Sequence, residues 1–574
     1  MRLALAQMNS VVGDIDGNRA RILERLEEAR AAGADLVLFP ELVVTGYPPE
    51  DLLLRPGFVR AAARSVEAIA AQATDGLVAL VGAPLFDRDL RNACAVLASG
   101  RVQAVQTKRF LPNYGVFDEQ RYFAPGTGEL VLLDCGGVLV GPTVCEDVWQ
   151  PGPPATDLAL AGAQLLTNIS ASPFHLGKDR EREQMLVTRA RDNACYLAFC
   201  NAVGGQDELL FDGHSVVLDD EGRVLARAPG FEEALLVADV DPGEVIGRRL
   251  TDPRRRALAA QRGEPHVRQV DLGARRPAGD GGRPAPAIAE PHPELEQMRR
   301  ALALAVRDYV DKNGFREAVV GVSGGIDSAV TAALCLDALG AERVHCVSMP
   351  SRYSSEATRT DARRLAGNLG ADFLELPIDS LVDAFAEALA PVFRGREADE
   401  TEENVQARIR GVVLMALSNK FGWLVVTTGN KSELSVGYAT LYGDMAGGFA
   451  PLKDVYKTDV FRLARHLNER AERELIPASV IERAPTAELR AGQLDEDSLP
   501  PYPKLDVVLR AYVEDDRSRD ELLSDGFDRE VVERALGLVD RAEYKRRQAP
   551  PGVKLHPKAF GRDRRTPITN RWRG

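Results

Sequence analysis

A cysteine closing an apolar run, a lysine at the mouth of a loop and a glutamate just past a buried stretch are the residue types from which amide hydrolysis can be built. Val144-Cys145-Glu146-Asp147-Val148-Trp149 puts Cys145 at a strand-to-turn junction. Thr107-Lys108-Arg109-Phe110-Leu111-Pro112 puts Lys108 at the start of an irregular loop, and Leu36-Val37-Leu38-Phe39-Pro40-Glu41 puts Glu41 just beyond a strand. Cysteine chemistry on an amide needs a thiolate to attack, a base to accept its proton and activate water, and a cation to stabilise the oxyanion. Strand ends are where such groups commonly sit. Taken singly, each residue has a plainer reading: a buried structural thiol for Cys145, and surface charges for Glu41 and Lys108. Cys94, Cys195 and Cys200, on apolar runs, read as structural thiols, and His175 as a structural or surface residue.

A second constellation lies far along the chain. Ala318-Val319-Val320-Gly321-Val322 runs into Ser323-Gly324-Gly325-Ile326-Asp327-Ser328, and a helix is predicted from Ala329. A glycine turn between a buried strand and a helix N-terminus brings backbone N–H groups close to phosphate oxygens, where the helix dipole favours an anion. Ser323 and Ser328 add hydroxyl donors, and Asp327 offers a carboxylate to magnesium. No lysine follows the glycines, so this is not the GxxxxGK[ST] loop.

The elements that must hold these residues are legible as alternating short apolar strands and amphipathic segments. In the first part the strands are expected at Leu3–Met8, Ala34–Phe39, Val78–Gly82, Gly137–Cys145, Ala163–Ile169 and Tyr196–Ala202, with helices at Asn18–Ala32 and Gly177–Asn193. Hairpin-like pieces make this unit mixed α/β. From about Asp241 to Pro293 the periodicity fades into Arg254-Arg255-Arg256 and a Pro/Gly/Ala-rich stretch at Arg275–Pro291, predicting an irregular connection that can in part pack on a neighbour. Periodicity returns with a helix at Glu294–Asn313. Strands follow at Ala318–Val322, Val344–Met349, Asp372–Pro377 and Trp423–Thr428, the pattern of a parallel sheet. After about Pro500 the chain is polar, helical and Arg-rich. The expected division is residues 1–240, a linker over 241–293, and 294–574.

Composition sets the class. For 574 residues, at ~150 per domain, the prior is about four domains, or two to three larger α/β units. Hydrophobic residues make up 45% and charged residues 27%, which excludes a mainly disordered chain. The net charge of −13 argues against a general nucleic-acid or membrane-surface binder. Apolar runs are strand-sized, short of the ~18–20 residues of a membrane span, and no signal peptide is read at the N-terminus. Seven cysteines without a CxxC pair suggest a reduced, cytoplasmic protein.

The string Ser323–Ser328 resembles the PP-loop of ATP pyrophosphatases, which cleave ATP to AMP and pyrophosphate. Met349-Pro350-Ser351-Arg352-Tyr353-Ser354-Ser355, Glu402-Glu403-Asn404-Val405-Gln406-Ala407-Arg408, Thr427–Glu433, Pro485–Leu489 and His556-Pro557-Lys558 are similar, in this order, to the NAD synthetase family over most of 295–565. The order Glu41–Lys108–Cys145, with FPE and CEDVW around it, resembles the carbon–nitrogen hydrolase (nitrilase) superfamily over roughly 1–240. LPNYGVFDEQRYF and NISASPF are similar to its glutaminase branch, which is fused to NAD synthetase.

The resemblance implies an αββα sandwich of nitrilase type followed by a Rossmann-like parallel-sheet PP-loop domain, of the adenine nucleotide alpha hydrolase-like kind. It implies Glu41 as general base, Lys108 as oxyanion stabiliser, Cys145 as nucleophile and Glu119 as a second acid orienting the lysine. Tyr114, Ser172 and Lys178 match glutamine-binding positions; at 178 an arginine would grip a carboxylate bidentately where lysine cannot. ATP falls to Gly321, Val322, Ser323, Gly324, Gly325, Ile326, Asp327, Ser328, Thr428, Lys457 and Thr486. Magnesium falls to Asp327 and Glu433, and deamido-NAD to Asn404, Glu433, His556 and Lys558. Leu441 stands before Tyr442-Gly443-Asp444 where ammonia-dependent relatives carry lysine, so that contact and a further Asp are not transferred.

The expected reaction amidates deamido-NAD with Mg-ATP and ammonia from glutamine. Glutamine, ATP and deamido-NAD are the partners, with no nucleic acid, no membrane and no covalent cofactor, and the resemblance implies a homo-oligomer. An N-terminal-nucleophile glutaminase is not expected, since Arg2 follows Met1, nor a Cys–His–Glu type, since Glu146-Asp147 follow Cys145. Two rivals stay open at this stage: an ATP-pyrophosphatase amidotransferase acting on another nucleotide acid such as XMP, and a non-catalytic scaffold of decayed domains.

Overall fold

Alternation along the first strand explains the layering of the first unit. In the computed structural model, Arg2–Gln7 sends Leu3 and Leu5 into one apolar cluster and Ala4 and Ala6 into another. A strand buried on both faces must be covered on both sides; here one face meets a second sheet and the other meets helices. Residues 1–73, 76–263, 265–273, 287–490 and 492–572 are described. They divide into two compact units, Met1–Gln206 with Leu210–His292, and Asp207–Leu209 with Pro293–Gly574.

The first unit holds a six-stranded and a seven-stranded sheet. The six-stranded sheet runs Ala234–Asp239, Arg2–Gln7, Leu36–Leu38, Val78–Phe86, Leu90–Ala98, Arg101–Thr107. The seven-stranded sheet runs Val224–Arg227, Val216–Leu218, Tyr196–Asn201, Leu165–Ser170, Leu139–Val144, Leu130–Asp134, Val267–Asp271. Their facing sides share one core, in which Leu3, Leu38, Leu80 and Val96 meet Leu133, Val140, Leu165 and Ala198. Ile22, Leu26, Val66 and Ile69, from helices Ile15–Ala31 and Pro56–Ala70, cover the outer face of the first sheet. Leu186 and Ala190, from Lys178–Asn193, and Leu158, from Ala155–Leu160, cover the second. This is the expected αββα sandwich.

Residues 241–293, read as a linker, carry helices Val245–Thr251 and Pro253–Arg262 and the strand Val267–Asp271. That strand pairs in parallel with Leu130–Asp134. Their apolar periodicity is weak because they lie on the outside; Pro253–Arg262 buries no residue. Much of the Arg275–Pro291 stretch lies outside the described residues.

In the second unit a four-stranded parallel sheet runs Asp372–Glu375, Val344–Ser348, Ala318–Gly321, Leu424–Val426. Ala318–Gly321 is therefore central, and its C-terminal end opens into the glycine turn before helix Ile326–Leu339. Ligands of open parallel sheets bind at such carboxyl ends. The Arg-rich C-terminal region is a packed helical body. Leu505, Leu509, Leu522, Val532, Leu536 and Val539 form a core with Val436 and Tyr456.

Gly82 shows how closely the first sheet supports the Glu41 turn. A Cβ there would lie 2.3 Å from the Pro40 carbonyl oxygen, 2.4 Å from the Leu42 nitrogen and 2.7 Å from the Glu41 Cα. These are backbone atoms and cannot rotate away. Gly82→Ala should therefore lower stability by ~1–3 kcal/mol, as overpacking does. A urea-denaturation midpoint equal to the wild type would show that the turn yields freely.

Candidate active sites

Lys108 follows strand Arg101–Thr107 and is 1% exposed, an ammonium that burial alone would not permit. Its Nζ lies 2.7 Å from Glu41 Oε1 and 2.8 Å from Glu119 Oε1. Desolvation works against its charge, but the carboxylates of Glu119 and Glu41 outweigh it and raise its pKa well above the usual value. Glu41 is fixed from three sides: the Asn92 amide donates to Oε1 at 2.7 Å, and the Ala171 N–H to Oε2 at 3.0 Å, beside the lysine. Glu119 also accepts from the Tyr47 hydroxyl at 2.9 Å. Burial pushes the Glu119 carboxyl up to about 7, against the pull of Lys108.

Cys145 stands between strand Leu139–Val144 and the short helix Glu146–Trp149, with φ 43° and ψ −103°. A non-glycine residue there is strained and needs to be held. Its N–H donates to the Ile169 carbonyl at 2.9 Å, and its carbonyl accepts from the Asn168 amide at 3.3 Å. Asp147, fully buried, accepts N–H bonds from Val144 at 3.1 Å, Arg109 at 2.9 Å and Phe110 at 3.1 Å. One carboxylate thus ties the Cys145 turn to the loop that follows Lys108. Burial raises the Cys145 thiol well above its ordinary pKa, and the charge of Glu41 adds to this while Lys108 opposes it. The resting group is a thiol whose proton needs an acceptor, and Glu41 is the carboxylate that acts on it most strongly. At Cys94 burial alone acts, pushing its pKa up to about 12.

The positions expected for glutamine surround this turn. The Tyr114 hydroxyl donates to both Glu146 oxygens, at 3.2 and 3.0 Å. Lys178 Nζ lies 4.1 Å from the ring centre of Trp149 and 3.1 Å from Glu181. Burial lowers its pKa, with Glu181 opposing. Ser172 is buried and donates its N–H to Asn201 Oδ1 at 2.9 Å, one residue past the amide that holds Glu41. Tyr47, Asn92, Asp147 and Asn201 were not singled out in the sequence. Asp147 sits inside the CEDVW string, whereas a hydrogen-bond partner such as Tyr47 leaves no local signal.

In the second unit, Gly324 has φ +83°, and a Cβ on it would lie 2.2 Å from the Thr358 carbonyl oxygen, so only glycine fits. Ser328 Oγ donates to the Gly325 carbonyl at 3.0 Å, and the Gly325 N–H points to Ser323 Oγ at 3.2 Å. Ile326 is buried. Gly321, Val322, Ser323, Thr428 and Asn404 line a cavity of about 800 Å³, with Arg359, Glu403, Arg410, Asp444, Glu488 and Lys545 as further polar walls. Arg410 donates to the Met349 carbonyl at 3.0 Å, and burial lowers its pKa to about 10.

Asp327, Glu433 and Lys457 converge on one point. Lys457 Nζ lies 2.5 Å from Asp327 and 3.0 Å from Glu433. Asn430 donates to Asp327 at 2.8 Å and caps the helix Lys431–Val436 that carries Glu433. Desolvation opposes the Lys457 charge, but Asp327 and Glu433 raise its pKa; burial pushes Glu433 up to about 8, with Lys457 opposing. Among the described residues no group of three or more His, Cys, Asp or Glu is arranged to hold a metal ion. Two carboxylates aimed at one cation nevertheless fit magnesium, which takes one or two carboxylates and completes its shell with water and phosphate.

Other expected residues stand elsewhere. The Thr486 hydroxyl donates to the Gln493 carbonyl at 2.5 Å, bracing the loop whose Ala487, Glu488 and Leu489 line the cavity. His556 is buried, its Nδ1 2.6 Å from the Asp454 carbonyl, and Lys558 pairs with Asp516. Neither lines that cavity.

Comparison with known proteins follows the same division. The carbon–nitrogen hydrolase family matches residues 2–249 and the NAD synthase family residues 298–549. The chain is 48% identical to the glutamine-dependent NAD(+) synthetase of Thermotoga maritima, covering 100% of this chain and 99% of the relative. It is 44% identical to that of Aquifex aeolicus, covering 100% of both. The solved glutamine-dependent NAD+ synthetase of Acinetobacter baumannii, in complex with ADP, is 40% identical with a TM-score of 0.74, covering 99% of this chain and 98% of that one. That of Cytophaga hutchinsonii, at 22% identity and TM-score 0.80 over 99% and 98%, shares the fold.

Removing the Lys108 ammonium tests the cluster. Lys108→Met leaves two carboxylates buried without a counter-charge, which should cost ~3–5 kcal/mol at neutral pH. Loss of the lysine raises the Glu119 pKa beyond its present value of about 7, against 4.5 when free. A raised folded-state pKa stabilises the protonated form, so the deficit should be smallest below pH 4.5 and grow as pH rises through 7. Denaturation of variant and wild type between pH 5 and 8 reads the difference; a pH-independent deficit would refute the charge account.

Proposed function

This chain belongs to the family of glutamine-dependent NAD(+) synthetases, and from that premise we propose how its residues divide the work. It is a ligase that amidates deamido-NAD to NAD with ATP, using ammonia from glutamine. We assign glutamine hydrolysis to residues 1–240 and the synthetase reaction to 294–574, with 241–293 between them.

In the first site Cys145 Sγ attacks the glutamine amide carbon and gives its proton to Glu41, while Lys108 faces the oxyanion. Glu41 returns the proton to the departing nitrogen, which leaves as ammonia while the acyl group stays on Cys145 Sγ as a thioester. A water then loses a proton to Glu41, attacks the thioester, and glutamate leaves as Cys145 regains its hydrogen. Glu119 keeps Lys108 in place, and Tyr114, Ser172 and Lys178 hold the non-reacting end of glutamine. The observation that carries this reading is the buried Lys108 bridge between Glu41 and Glu119, set against the strained Cys145 turn.

In the second site the nicotinate carboxylate attacks the α-phosphorus of ATP, pyrophosphate leaves, and ammonia displaces AMP from the acyl adenylate. The turn Gly321–Ser328, with Thr428 and Thr486, is assigned to ATP, and Lys457 to its phosphates. Asn404 and Glu433 are assigned to deamido-NAD, supported for Asn404 by its place in the cavity. The same role for His556 and Lys558 rests on the HPK string alone. Asp327 and Glu433 would hold magnesium, which supplies positive charge to the phosphates when bound.

Homo-oligomerisation is part of the proposal. Phe385, Val392 and Val412 are exposed apolar groups that a second copy could cover. No helix among the described residues is long and apolar enough to cross a membrane. None of the seven cysteines, all described, is in a disulfide, which fits the proposed reducing cytoplasm.

Two variants test the division reciprocally. Cys145→Ala should lose glutamine-dependent synthesis to a trace, yet regain NAD formation with millimolar ammonium at pH ~8.5, where free ammonia is more abundant. A folded variant that ammonium does not rescue would refute the two-site mechanism. Asp327→Asn should cut NAD formation by ~10²-fold or more and weaken magnesium-dependent ATP binding, while glutamine hydrolysis without ATP survives. Near-normal synthesis would sink the metal assignment. The spent nucleotide should be AMP with pyrophosphate; ADP in stoichiometric yield would overturn the second site.

A further inference from the structure

Behind the glutamine positions lies a buried charge cluster that the mechanism does not use. Asp212 is fully buried at the end of strand Leu209–Asp212. Arg182 grips it bidentately at 3.0 and 2.7 Å, His214 Nδ1 meets it at 2.9 Å, and the Asn201 amide approaches it at 3.5 Å. Burial disfavours its charge, but Arg182 and His214 bring its pKa well below the usual carboxylate range.

Two lines run outward from this carboxylate. Asn201, itself fully buried, donates to the Gly213 carbonyl at 2.9 Å and accepts the Ser172 N–H at 2.9 Å. The same strand binds the Ser172 loop directly, since the Phe174 N–H donates to the Leu210 carbonyl at 2.7 Å and Pro173 bridges to Phe211. Arg182 lies one turn inside helix Lys178–Asn193, so pinning its guanidinium fixes the start of the helix, where Lys178 rests on Trp149. Arg182 and Asp212 expose 2% and 0% of their side chains, so no solvent competes for the pair.

We propose that Asp212 is a positioning residue for glutamine, holding Ser172 through Asn201 and Lys178 through Arg182 in one fixed relation. The proposal rests on the glutaminase reading above. Groups that hold the non-reacting end of a substrate bind ground and transition states alike, so loosening them raises KM more than it lowers kcat. When the Ser172 loop relaxes, Glu41 keeps its bonds to Lys108 and Asn92, two of its three supports, so the chemistry at Cys145 suffers less than the binding of glutamine.

The test is Asp212→Asn in the full-length protein, with glutamate release measured against glutamine concentration. Ammonium-dependent NAD synthesis and alkylation of Cys145 by iodoacetamide, located by mass, serve as controls. The KM for glutamine should rise by ~10-fold or more, with kcat, alkylation and ammonium-dependent synthesis each within about threefold of wild type. An unchanged KM in the folded variant would overturn the proposal. So would a joint fall of alkylation and both activities, since that marks general loss of structure. Should Asp212→Asn fail to fold, Asn201→Ala, which leaves the ion pair intact, decides by the same criteria. A wild-type protein that released no glutamate would sink the glutaminase reading, and this proposal with it, before any variant was compared.

Discussion

Taking the Lys108 ammonium out of water costs several kcal/mol, and the first unit can meet that cost only by bringing Glu41 and Glu119 to within hydrogen-bond distance of it. This requirement reaches far into the fold. Glu41 comes from the end of one strand, Lys108 from another of the same sheet, and Glu119 from the loop beyond, so none can shift without exposing a bare charge. The glycine at 82 lets the Glu41 turn sit directly on its neighbouring strand. Asp147 ties the Lys108 loop to the nucleophile's turn. Lys457, between Asp327 and Glu433, repeats the device in the second unit.

The same electrostatics fix the resting protonation state. Cys145 is buried close to a carboxylate, and both favour its neutral thiol form; in the proposed reaction the nucleophile forms as this proton passes to Glu41. A permanently ionised thiolate would be open to oxidation. The positive φ at Cys145 aims the side chain away from the strand direction, and its neighbours hold that strain with bonds at Ile169, Asn168 and Asp147. Held in this way, Cys145 as the proposed nucleophile would lose little order on reaching the transition state.

Much of this was legible in the sequence because the motif residues lie at strand ends, where an apolar run stops and a charge or sulfur follows. Cys145, Lys108, Glu41 and the Ser323–Ser328 turn all read this way, and the structure places each at a strand's carboxyl end. What escaped were partners that meet only in three dimensions. Tyr47 is 72 residues from Glu119 and Asn92 is 51 from Glu41. The order within 241–271 escaped for a different reason, since surface helices and an edge strand bury too little to print a period. The Arg-rich C-terminal stretch hid an apolar face among its charges, which the packing of Leu505, Val532 and Val539 reveals. His556 reads as a substrate contact from its tripeptide alone; in the structure its Nδ1 faces the Asp454 carbonyl inside the domain.

The two lysine bridges, alike in parts, differ in what they are free to do. Lys108 and Glu41 expose none of their side chains and Glu119 only 6%. Under the proposed mechanism, a cluster so sealed is preorganised for the charge that develops beside it, the condition under which electrostatic stabilisation is most effective. Asp327 and Glu433 each remain 17% exposed while Lys457 is nearly sealed. All four of their oxygens already accept a bond from Lys457 or Asn430, and the exposed side faces solvent. A sealed cluster suits charge that arises in place; partly exposed carboxylates suit a cation that arrives from solvent, as the proposed magnesium would. The burial of four carboxylates thus separates two clusters of the same parts, one closed to solvent and one open on a side.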